Sequence, residues 1–224
     1  MKKKYGILFF VFTIFSFSGF AQQSKTGIGF YGGFGLRNLR GNEIIKEKNT
    51  SAFGYCGGFS FQFNISEKYT VCTAIAYERK GAVGKSQQTD TSGNIISEIK
   101  TFSNFDYITI PLLFRYNIQK KVNFFFEAGG FAAYLLQQKF VVDDPVLTVN
   151  TADNTDNDKR MDYGFSFGLG LSKPISNRLV LSVELHDNLG IYNVSKVHVY
   201  NDGTIKTNNT NILIGLSYNF GKHD

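Results

Sequence analysis

The sequence has little of several features that mark common protein classes. Of its 224 residues only 3 are proline, 2 are cysteine, 3 are histidine and none is tryptophan, and charged residues make up 19%. The aromatic content is nevertheless 16%, from 23 Phe and 12 Tyr, which excludes an intrinsically disordered chain. No apolar run reaches the roughly 20 residues of a membrane-spanning helix, and the mean hydropathy is -0.14. A bundle of transmembrane helices is therefore excluded as well.

The N-terminus has the three-part pattern of a secretory signal peptide. Lysines at positions 2–4 precede an apolar stretch over 7–20, and Gly19 and Ala21 are the small residues before a cut at residue 22. We therefore predict a cleaved signal peptide, residues 1–21, and a mature chain, residues 22–224. Removal of the three lysines lowers the formal net charge from +6 to +3. Because no basic run remains, nucleic acid is excluded as a partner.

The rest of the chain repeats one pattern, a segment of about ten residues in which bulky apolar residues alternate with polar or small ones. Alternation with a period of two is the signature of a β-strand. In one segment, for example, Phe165, Phe167 and Leu169 alternate with Ser166 and Gly168. The eight predicted strands are 27–37, 52–64, 69–80, 108–118, 123–138, 162–172, 179–186 and 212–220.

The connections between these strands alternate in length. Long polar stretches lie at 38–51, 81–104, 139–160 and 188–209, and tight turns lie at 65–68, 119–122 and 173–177. Outer-membrane barrels have such short periplasmic turns and longer extracellular loops. The sequence therefore predicts an all-β fold, a closed antiparallel eight-stranded up-and-down transmembrane β-barrel with both termini periplasmic.

A soluble lipocalin-like barrel is the alternative, and it would turn the apolar face inward. About five bulky residues from each strand would overfill so narrow an interior, and the opposite face, rich in Gly, Ser and Ala, has too few charges for a water-exposed surface. A membrane barrel places the apolar face against outer-membrane lipid. Tyrosines at strand ends then fit interfacial girdles, and the candidates are Tyr69, Tyr107, Tyr134 and Tyr163.

Charged residues on the small-residue face would point into the lumen of such a barrel. Buried charges must pair with one another or they cost several kcal/mol each. We therefore predict an interior salt-bridge network that fills the lumen, with a narrow conducting or proton-relaying channel as the alternative. The predicted members are Arg37, Glu78, Arg115, Glu127, Asp162, Glu184 and His186.

An enzyme site is suggested by Glu184, His186 and Asp187, since some eight-stranded barrels are lipid A deacylases that use His, Ser and Glu. The His-x-Ser spacing of those enzymes is absent after both His186 and His198, so neither histidine has an obvious nucleophile. Residues 153–158 are acidic and Asn-rich, but they lack the spacing of an EF-hand calcium loop. We therefore predict no catalytic residues, no metal site and no cofactor, with a lipid-modifying enzyme as the alternative.

The only two cysteines, Cys56 and Cys72, would invite a disulfide in an exported chain. If the strands around them form a hairpin that turns at 65–68, Cys72 lies opposite Ser60 or Phe61. Cys56 is then about four residues away along the strand, which exceeds the ~7 Å Cα separation that a disulfide spans. Two unpaired, inward-facing cysteines are the prediction, and a disulfide remains the alternative.

Several strands resemble those of the PorT-like outer-membrane β-barrel family. The resemblance lies in the proline-containing segment 107–116, in the glycine-rich segments 127–134 and 162–170, and in the final segment 214–220. It implies a Gram-negative outer-membrane barrel, and because the name-giving member is associated with protein secretion, it implies a secretion or envelope protein as a partner. The last strand also resembles the signal read by the barrel assembly machinery, with Gly215, Tyr218 and Phe220 at the expected spacing. We expect a monomer whose extracellular loops form a binding surface.

Overall fold

The computed structural model describes residues 26–41, 49–89, 92, 95–143, 150–199 and 203–220. The predicted signal peptide lies outside these residues. Within them the chain forms ten β-strands: β1 Thr26–Arg40, β2 Asn49–Thr50, β3 Ala52–Asn64, β4 Tyr69–Thr89, β5 Ile95–Ile118, β6 Asn123–Asp143, β7 Asn150–Asp153, β8 Met161–Pro174, β9 Leu179–Gly190 and β10 Lys206–Asn219. No helix in this described part of the chain is long and apolar enough to span a membrane.

Eight of the strands close into an antiparallel ring. The order around the ring is β4, β3, β1, β10, β9, β8, β6 and β5, and pairing of β5 with β4 completes it. The short strands β2 and β7 add to β4 and β6. Every ring strand lies beside its neighbour in the sequence, and closure gives each ring strand a partner strand on both sides. The prediction of an eight-stranded up-and-down barrel is confirmed.

The bulky apolar residues face outward, as the membrane barrel requires. In β8, Phe165, Phe167 and Leu169 are each about half exposed, whereas Asp162 and Ser166 are fully buried. Large exposed apolar side chains recur on the other ring strands, including Phe59 on β3, Leu112 on β5 and Ile214 on β10. The lipocalin-like alternative requires the opposite orientation and is therefore wrong.

The predicted loop 81–104 is mostly strand. Residues of β4 and β5 remain paired from Lys80 with Phe105 up to Thr89 with Ile95, so the two strands form a long hairpin. Residues 139–143, 150–153, 188–190 and 206–209 of the other predicted loops are also strand. These segments were not predicted as strand because their sequences lack the regular alternation of bulky apolar residues with small or polar ones.

A glycine and a bulge mark the start of this hairpin. Gly81 has a φ of 131°, and a Cβ atom there would lie 1.8 Å from the backbone oxygen of Ser103. On the other side of β5, its pairing with β6 shifts between Asp106 and Tyr107, and Leu136 of β6 is skipped. Tyr107 is fully buried inside the barrel, because it has the same alternation parity on β5 as the inward-facing Thr109 and Leu113. Its predicted place in the interfacial girdle is therefore wrong. The other three predicted girdle tyrosines, Tyr69, Tyr134 and Tyr163, are all exposed.

Two of the tight turns use the same local chemistry. In the turn between β3 and β4, the backbone N–H of Ile65 bonds to the carbonyl of Tyr69, and Ser66 Oγ accepts from two backbone N–H groups. Ile175 and Ser176 repeat these bonds between β8 and β9. In each turn the Ile-Ser pair thus provides hydrogen bonds for backbone groups that the strand ladder leaves unpaired.

Cys56 and Cys72 are both free. Cys72 pairs with Gln62 across β3 and β4, one position beyond the predicted Ser60 or Phe61, because the turn is centred slightly later in the chain. Cys56 pairs instead with Glu78. This register separates the two thiols and confirms the prediction of unpaired cysteines.

Candidate functional site

The lumen of the barrel has three zones along its axis. At the end with the tight turns it contains a polar cavity of about 460 Å³, which we call the vestibule, lined by residues such as Asn64, Asn117 and Asn219. In the middle is a layer of charged and hydrogen-bonded side chains, which we call the charged layer. It borders a smaller cavity of about 80 Å³. At the long-loop end lies an apolar plug, whose members are Leu39, Ala82, Phe105, Tyr107, Phe131, Ala133, Leu135 and Val194.

The first part of the charged layer joins four of the predicted residues. Arg115 Nε donates to Glu127 Oε2 at 2.7 Å, and Arg115 Nη2 lies 3.7 Å from Glu184 Oε2. The other oxygens, Oε1 of Glu184 and Oε1 of Glu127, lie 2.7 Å and 3.6 Å from His186 Nδ1. We call these four residues the histidine group.

Strand register explains why the histidine group assembles. Arg115 on β5 pairs with Glu127 on β6, Glu127 pairs with Gly168 on β8, and Gly168 pairs with His186 on β9. These positions form one continuous row around the barrel wall. A Cβ atom at Gly168 would lie 2.5 Å from Glu184 Oε1 and 2.7 Å from Glu127 Cγ. The glycine therefore leaves the space in which the two carboxylates approach each other.

The second part of the charged layer is built around Lys80, whose side chain is fully buried. Lys80 Nζ lies 3.1 Å from Asp162 Oδ2 and 3.8 Å from Glu78 Oε2. It also lies 4.0 Å from the ring centre of Phe131 in the apolar plug. Asp162 Oδ2 accepts a second bond from the hydroxyl of Thr207 at 2.7 Å. We call Glu78, Lys80 and Asp162 the lysine group.

Hydrogen-bond donors surround the Glu78 carboxylate on its remaining sides. Its oxygens accept bonds from the amides of Asn188, Asn209 and Asn211 and from the hydroxyl of Thr109, at 3.0 to 3.3 Å. Such bonds replace the water that a buried carboxylate has lost, and each bond to a charged group contributes about 1.5–3 kcal/mol.

Asn188 links the two groups and fixes the tautomer of His186. Its amide nitrogen donates to both oxygens of Glu78, so its Oδ1 is directed the other way, where it accepts from Ser166 and lies 3.2 Å from His186 Nε2. Since Oδ1 can only accept, His186 Nε2 carries a hydrogen atom. His186 Nδ1 is then the nitrogen that faces the two carboxylates.

Arg37, the seventh predicted residue, lies apart from both groups. Its guanidinium donates to the carbonyls of Phe53 and Lys80 and to Asn104 Oδ1, at 2.6 to 2.9 Å. It thus connects β1 to β3, β4 and β5 near the long-loop end. The structure therefore places the predicted residues in two ion-paired groups and one separate arginine.

Several members of the charged layer were missed by the sequence analysis. Lys80 has the same alternation parity as Glu78 and ends the predicted strand, so that parity could have identified it. Asn188, Thr207 and Asn209 fell in a segment that was predicted to be loop, and they belong to β9 and β10. Asn211, just before the predicted last strand, also belongs to β10. These residues belong to the charged layer only because β9 and β10 extend that far, and the alternation does not reveal where those strands end.

The plug is held by a loop that folds over the barrel mouth. Val194, in the connection between β9 and β10, is fully buried in the plug, and its backbone N–H bonds to the carbonyl of Ile205 at 2.9 Å. The neighbouring connection fastens this loop, because Lys159 N–H bonds to the Val194 carbonyl and Lys196 N–H bonds to that of Asn157. The two connections thus close the long-loop end of the lumen together.

Asp158 lies within these connections, outside the membrane-spanning strands, and it is buried. Burial raises the pKa of its carboxyl from 3.8 to about 6, and the charge of Lys196 opposes this. Because the folded-state pKa lies above the unfolded value, protonated Asp158 stabilises the folded loops at low pH. That contribution is lost as the pH rises from about 4 through about 6.

We expect Asp158→Asn to remove this pH dependence and to stabilise the loops by about 1 kcal/mol at pH 7.5, once solvent screening is allowed for. Hydrogen exchange of residues 154–160 and 191–199, corrected for the intrinsic effect of pH, measures it. The wild-type protein should lose protection between pH 4.5 and 7.5, whereas D158N should not. Asp156→Asn is the control, since Asp156 is 98% exposed and should behave like wild type. Equal pH dependence in D158N would contradict the interpretation.

The three residues of the predicted assembly signal lie on β10 and just after it. Gly215 leaves room for the Ser182 hydroxyl, which would lie 2.8 Å from a Cβ atom there. The Tyr218 hydroxyl accepts a bond from Arg178 at 2.6 Å, and its ring meets that of Phe220 edge-on at 5.3 Å. Phe220 itself is exposed. The aromatic pair therefore lies at the turn end of the barrel, on its outer surface.

Comparison with solved structures finds outer-membrane barrels at low sequence identity. Neisserial surface protein A is 14% identical, with a TM-score of 0.48, and the alignment covers 87% of this chain and 97% of that one. For OprG from Pseudomonas aeruginosa the identity is 12%, the TM-score 0.45 and the coverage 89% and 98%. For Ail, the attachment invasion locus protein of Yersinia pestis, the values are 12%, 0.42, 88% and 100%.

A search of curated protein sequences finds no match to the chain. The family described as "Outer membrane protein beta-barrel domain" matches residues 20–196, which is most of the sequence. The match agrees with the closed ring of eight strands, the outward-facing apolar side chains and the charged lumen. The chain therefore belongs to this outer-membrane β-barrel family and is a protein of the outer membrane.

Proposed function

We propose that the protein is a non-conducting, non-enzymatic barrel that presents a binding surface outside the cell. The observation that carries this proposal is a contrast at the long-loop end. There the lumen is closed by the plug and the charged layer, while the strands β4, β5 and β6 continue well beyond the plug. Material is not expected to pass through such a barrel, and a surface raised above the membrane is suited to contact other molecules.

The closed lumen supports a non-conducting barrel. An eight-stranded barrel has an interior just wide enough for side chains to fill. Here Lys80 and Asp162 lie directly beneath the apolar plug, and both are fully buried. An ion that crossed the barrel would have to displace this pair and the Val194 loop together.

The unequal strand lengths support an external binding surface. Strands β4, β5 and β6 contain 21, 24 and 21 residues, whereas β8 and β10 contain 14 each. Seven extra residues at about 3.4 Å each add roughly 24 Å along the strand. The parts of β4, β5 and β6 beyond the plug form a sheet that we call the raised sheet, and β7 widens it by pairing with β6. A sheet of this kind offers a rigid platform rather than a set of flexible loops.

We also propose an orientation of the barrel in the membrane and the partners that it contacts. We place the tight turns and both termini on the periplasmic side, and we propose that the barrel is monomeric. The barrel assembly machinery would read Gly215, Tyr218 and Phe220 during insertion. A secretion or envelope protein, the partner implied by the resemblance to PorT-like proteins, would dock either on the raised sheet or on the periplasmic turns.

Planar-bilayer recording tests the closed lumen. We expect no discrete conductance steps from the purified wild-type barrel, because its lumen is filled at the charged layer and at the plug. A general porin measured in the same bilayers provides the positive control. Reproducible single-channel steps from wild type would contradict the proposal and favour the narrow channel.

Cysteine labelling in intact cells tests the orientation. Thr151→Cys lies on β7 at the raised end, and Lys120→Cys lies in the turn between β5 and β6. A membrane-impermeant maleimide should label the first and leave the second unlabelled until the outer membrane is permeabilised. The unmodified chain is the control for background from Cys56 and Cys72. The reverse labelling pattern would place the raised sheet in the periplasm.

A further inference from the structure

We propose that the histidine group is a binding site for a divalent transition-metal ion, with His186 Nδ1 and the Oε1 atoms of Glu127 and Glu184 as ligands. This inference goes beyond the proposed function and does not depend on it, because a filled lumen can hold a metal ion with or without external binding. The three ligand atoms lie within 4.8 Å of one another.

All three proposed ligand atoms can donate an electron pair to a metal ion. The hydrogen bond to Asn188 Oδ1 places a hydrogen atom on His186 Nε2, so Nδ1 is the ring nitrogen that can coordinate a metal. Nδ1 lies 2.7 Å from one carboxylate oxygen and 3.6 Å from another. Two carboxylates this close to one nitrogen need a cation among them, and a metal ion can take the place of a proton on Nδ1.

The outer contacts of a metal site are already in place around these ligands. Metal-bound histidines usually donate their other N–H to an oxygen, and metal-bound carboxylates are usually hydrogen-bonded in turn. His186 Nε2 has Asn188 Oδ1 as its partner, and Arg115 contacts the Oε2 atoms of both glutamates. The Oε1 atoms are thereby left directed toward His186.

The site also has room for a further ligand. The ligand residues border the cavity of about 80 Å³, which is also lined by Ser182 and Asn211. Asn211 lies directly opposite His186 in the register of β9 and β10, and its Oδ1 is buried without a hydrogen-bond partner. Zinc sites with three protein ligands commonly keep a fourth position for water. The cavity supplies that position, and Asn211 Oδ1 is available to accept a bond from the water.

The charges around the site suit a cation. The histidine group has two carboxylates and one arginine, and the lysine group has two carboxylates and one lysine. Asn188 joins the two groups through Glu78 and His186. Carboxylates therefore outnumber lysine and arginine side chains in this part of the lumen.

An ion can reach the site from the turn end. Arg115 and Ser182 line both the smaller cavity and the vestibule, so the two spaces adjoin. Imidazole together with carboxylates suits zinc and other first-row divalent ions better than magnesium or calcium, which prefer oxygen ligands alone. Zn²⁺ and its spectroscopic substitute Co²⁺ are therefore the appropriate probes.

Metal titration of the folded barrel in detergent tests the proposal. After treatment with a chelator and its removal, the wild-type protein should bind one Zn²⁺ per chain by elemental analysis, and Co²⁺ should produce visible ligand-field absorption. His186→Gln and Glu184→Gln should reduce the Zn²⁺ content at least tenfold. Glu67→Gln, in the exposed turn between β3 and β4, is the matched control and should bind like wild type.

Heat-modifiable gel mobility first establishes that each variant has folded. If H186Q or E184Q fails to fold, Asn188→Ala tests the same site through its outer contact, with an expected 10- to 100-fold loss of Zn²⁺ affinity. Folded wild-type protein that binds neither ion, or variants that bind as well as wild type, would overturn the proposal. A protonated imidazole would then be the cation between the two glutamates.

Discussion

Replacing Lys80 by methionine should lower the free energy of unfolding by about 3–5 kcal/mol, because it leaves buried carboxylates without their cation. Asp162 would retain only the Thr207 hydroxyl as a partner for Oδ2, while its Oδ1 already has none. Glu78 would keep its amide and hydroxyl donors but lose the nearby charge. Methionine preserves most of the side-chain volume, so the loss measures charge rather than packing. Urea titration of the barrel in detergent micelles or lipid vesicles gives the difference.

Two further variants make this result specific. Lys120→Met removes an exposed lysine from the turn between β5 and β6 and should change stability by no more than about 0.5 kcal/mol. Adding Asp162→Asn to Lys80→Met removes one of the two carboxylate charges left without their cation and should recover part of the lost stability. A Lys80→Met protein as stable as the Lys120→Met protein would show that the lysine group does not contribute to stability.

Leu169→Arg should destabilise the inserted barrel by about 2–4 kcal/mol, the cost of an arginine on the lipid face near the middle of the bilayer. Leu169 lies midway along β8, between Tyr163 and the turn at Ile175, and 52% of its surface is exposed. In water an exposed leucine can be replaced by arginine with little effect. The large cost is therefore expected only if lipid surrounds this residue. Equilibrium unfolding from lipid vesicles measures it.

Thr151→Arg provides the matched control for the lipid-facing substitution. Thr151 is also an exposed strand residue, but it lies on β7, in the raised sheet beyond the plug. We expect a change of no more than about 0.5 kcal/mol there. Similar costs at the two positions would mean that the bilayer covers β7 as well, and the proposed height of the raised sheet would then be wrong.

The membrane-spanning part of the fold was predictable because lipid imposes a simple rule. Each strand that crosses the bilayer must present apolar side chains to one side only, so the alternation marks it in the sequence. Phe165, Phe167 and Leu169 showed this clearly, and Asp162 was correctly predicted to face inward. The extension of β4 and β5 to a hairpin beyond residue 81 was not predictable in this way, because residues 81–104 lack that alternation.

In the lumen, too, some features were predictable from the sequence and others were not. Parity alone predicted that Glu127, Glu184 and His186 face inward, but it carried no information on how far apart they lie. A shift of one residue in the pairing of β8 with β6 or β9 would move Gly168 out of line with Glu127 and His186. A bulkier residue would then fill the space between the carboxylates. Tyr107 differs from this case, because its parity with the inward-facing Thr109 and Leu113 was visible in the sequence and places its ring in the lumen.

The amino-acid sequence by itself determined that this chain closes into an eight-stranded outer-membrane barrel with charged residues inside. This was possible because alternation, turn spacing and overall composition are local properties, and each strand that crosses the bilayer must meet its requirements separately. Only the tertiary structure decided that Arg115, Glu127, Gly168 and His186 occupy one row around the wall, and that a loop places Val194 in the barrel mouth. Those arrangements depend on register between strands and on loop packing, which arise from contacts between residues far apart in the chain.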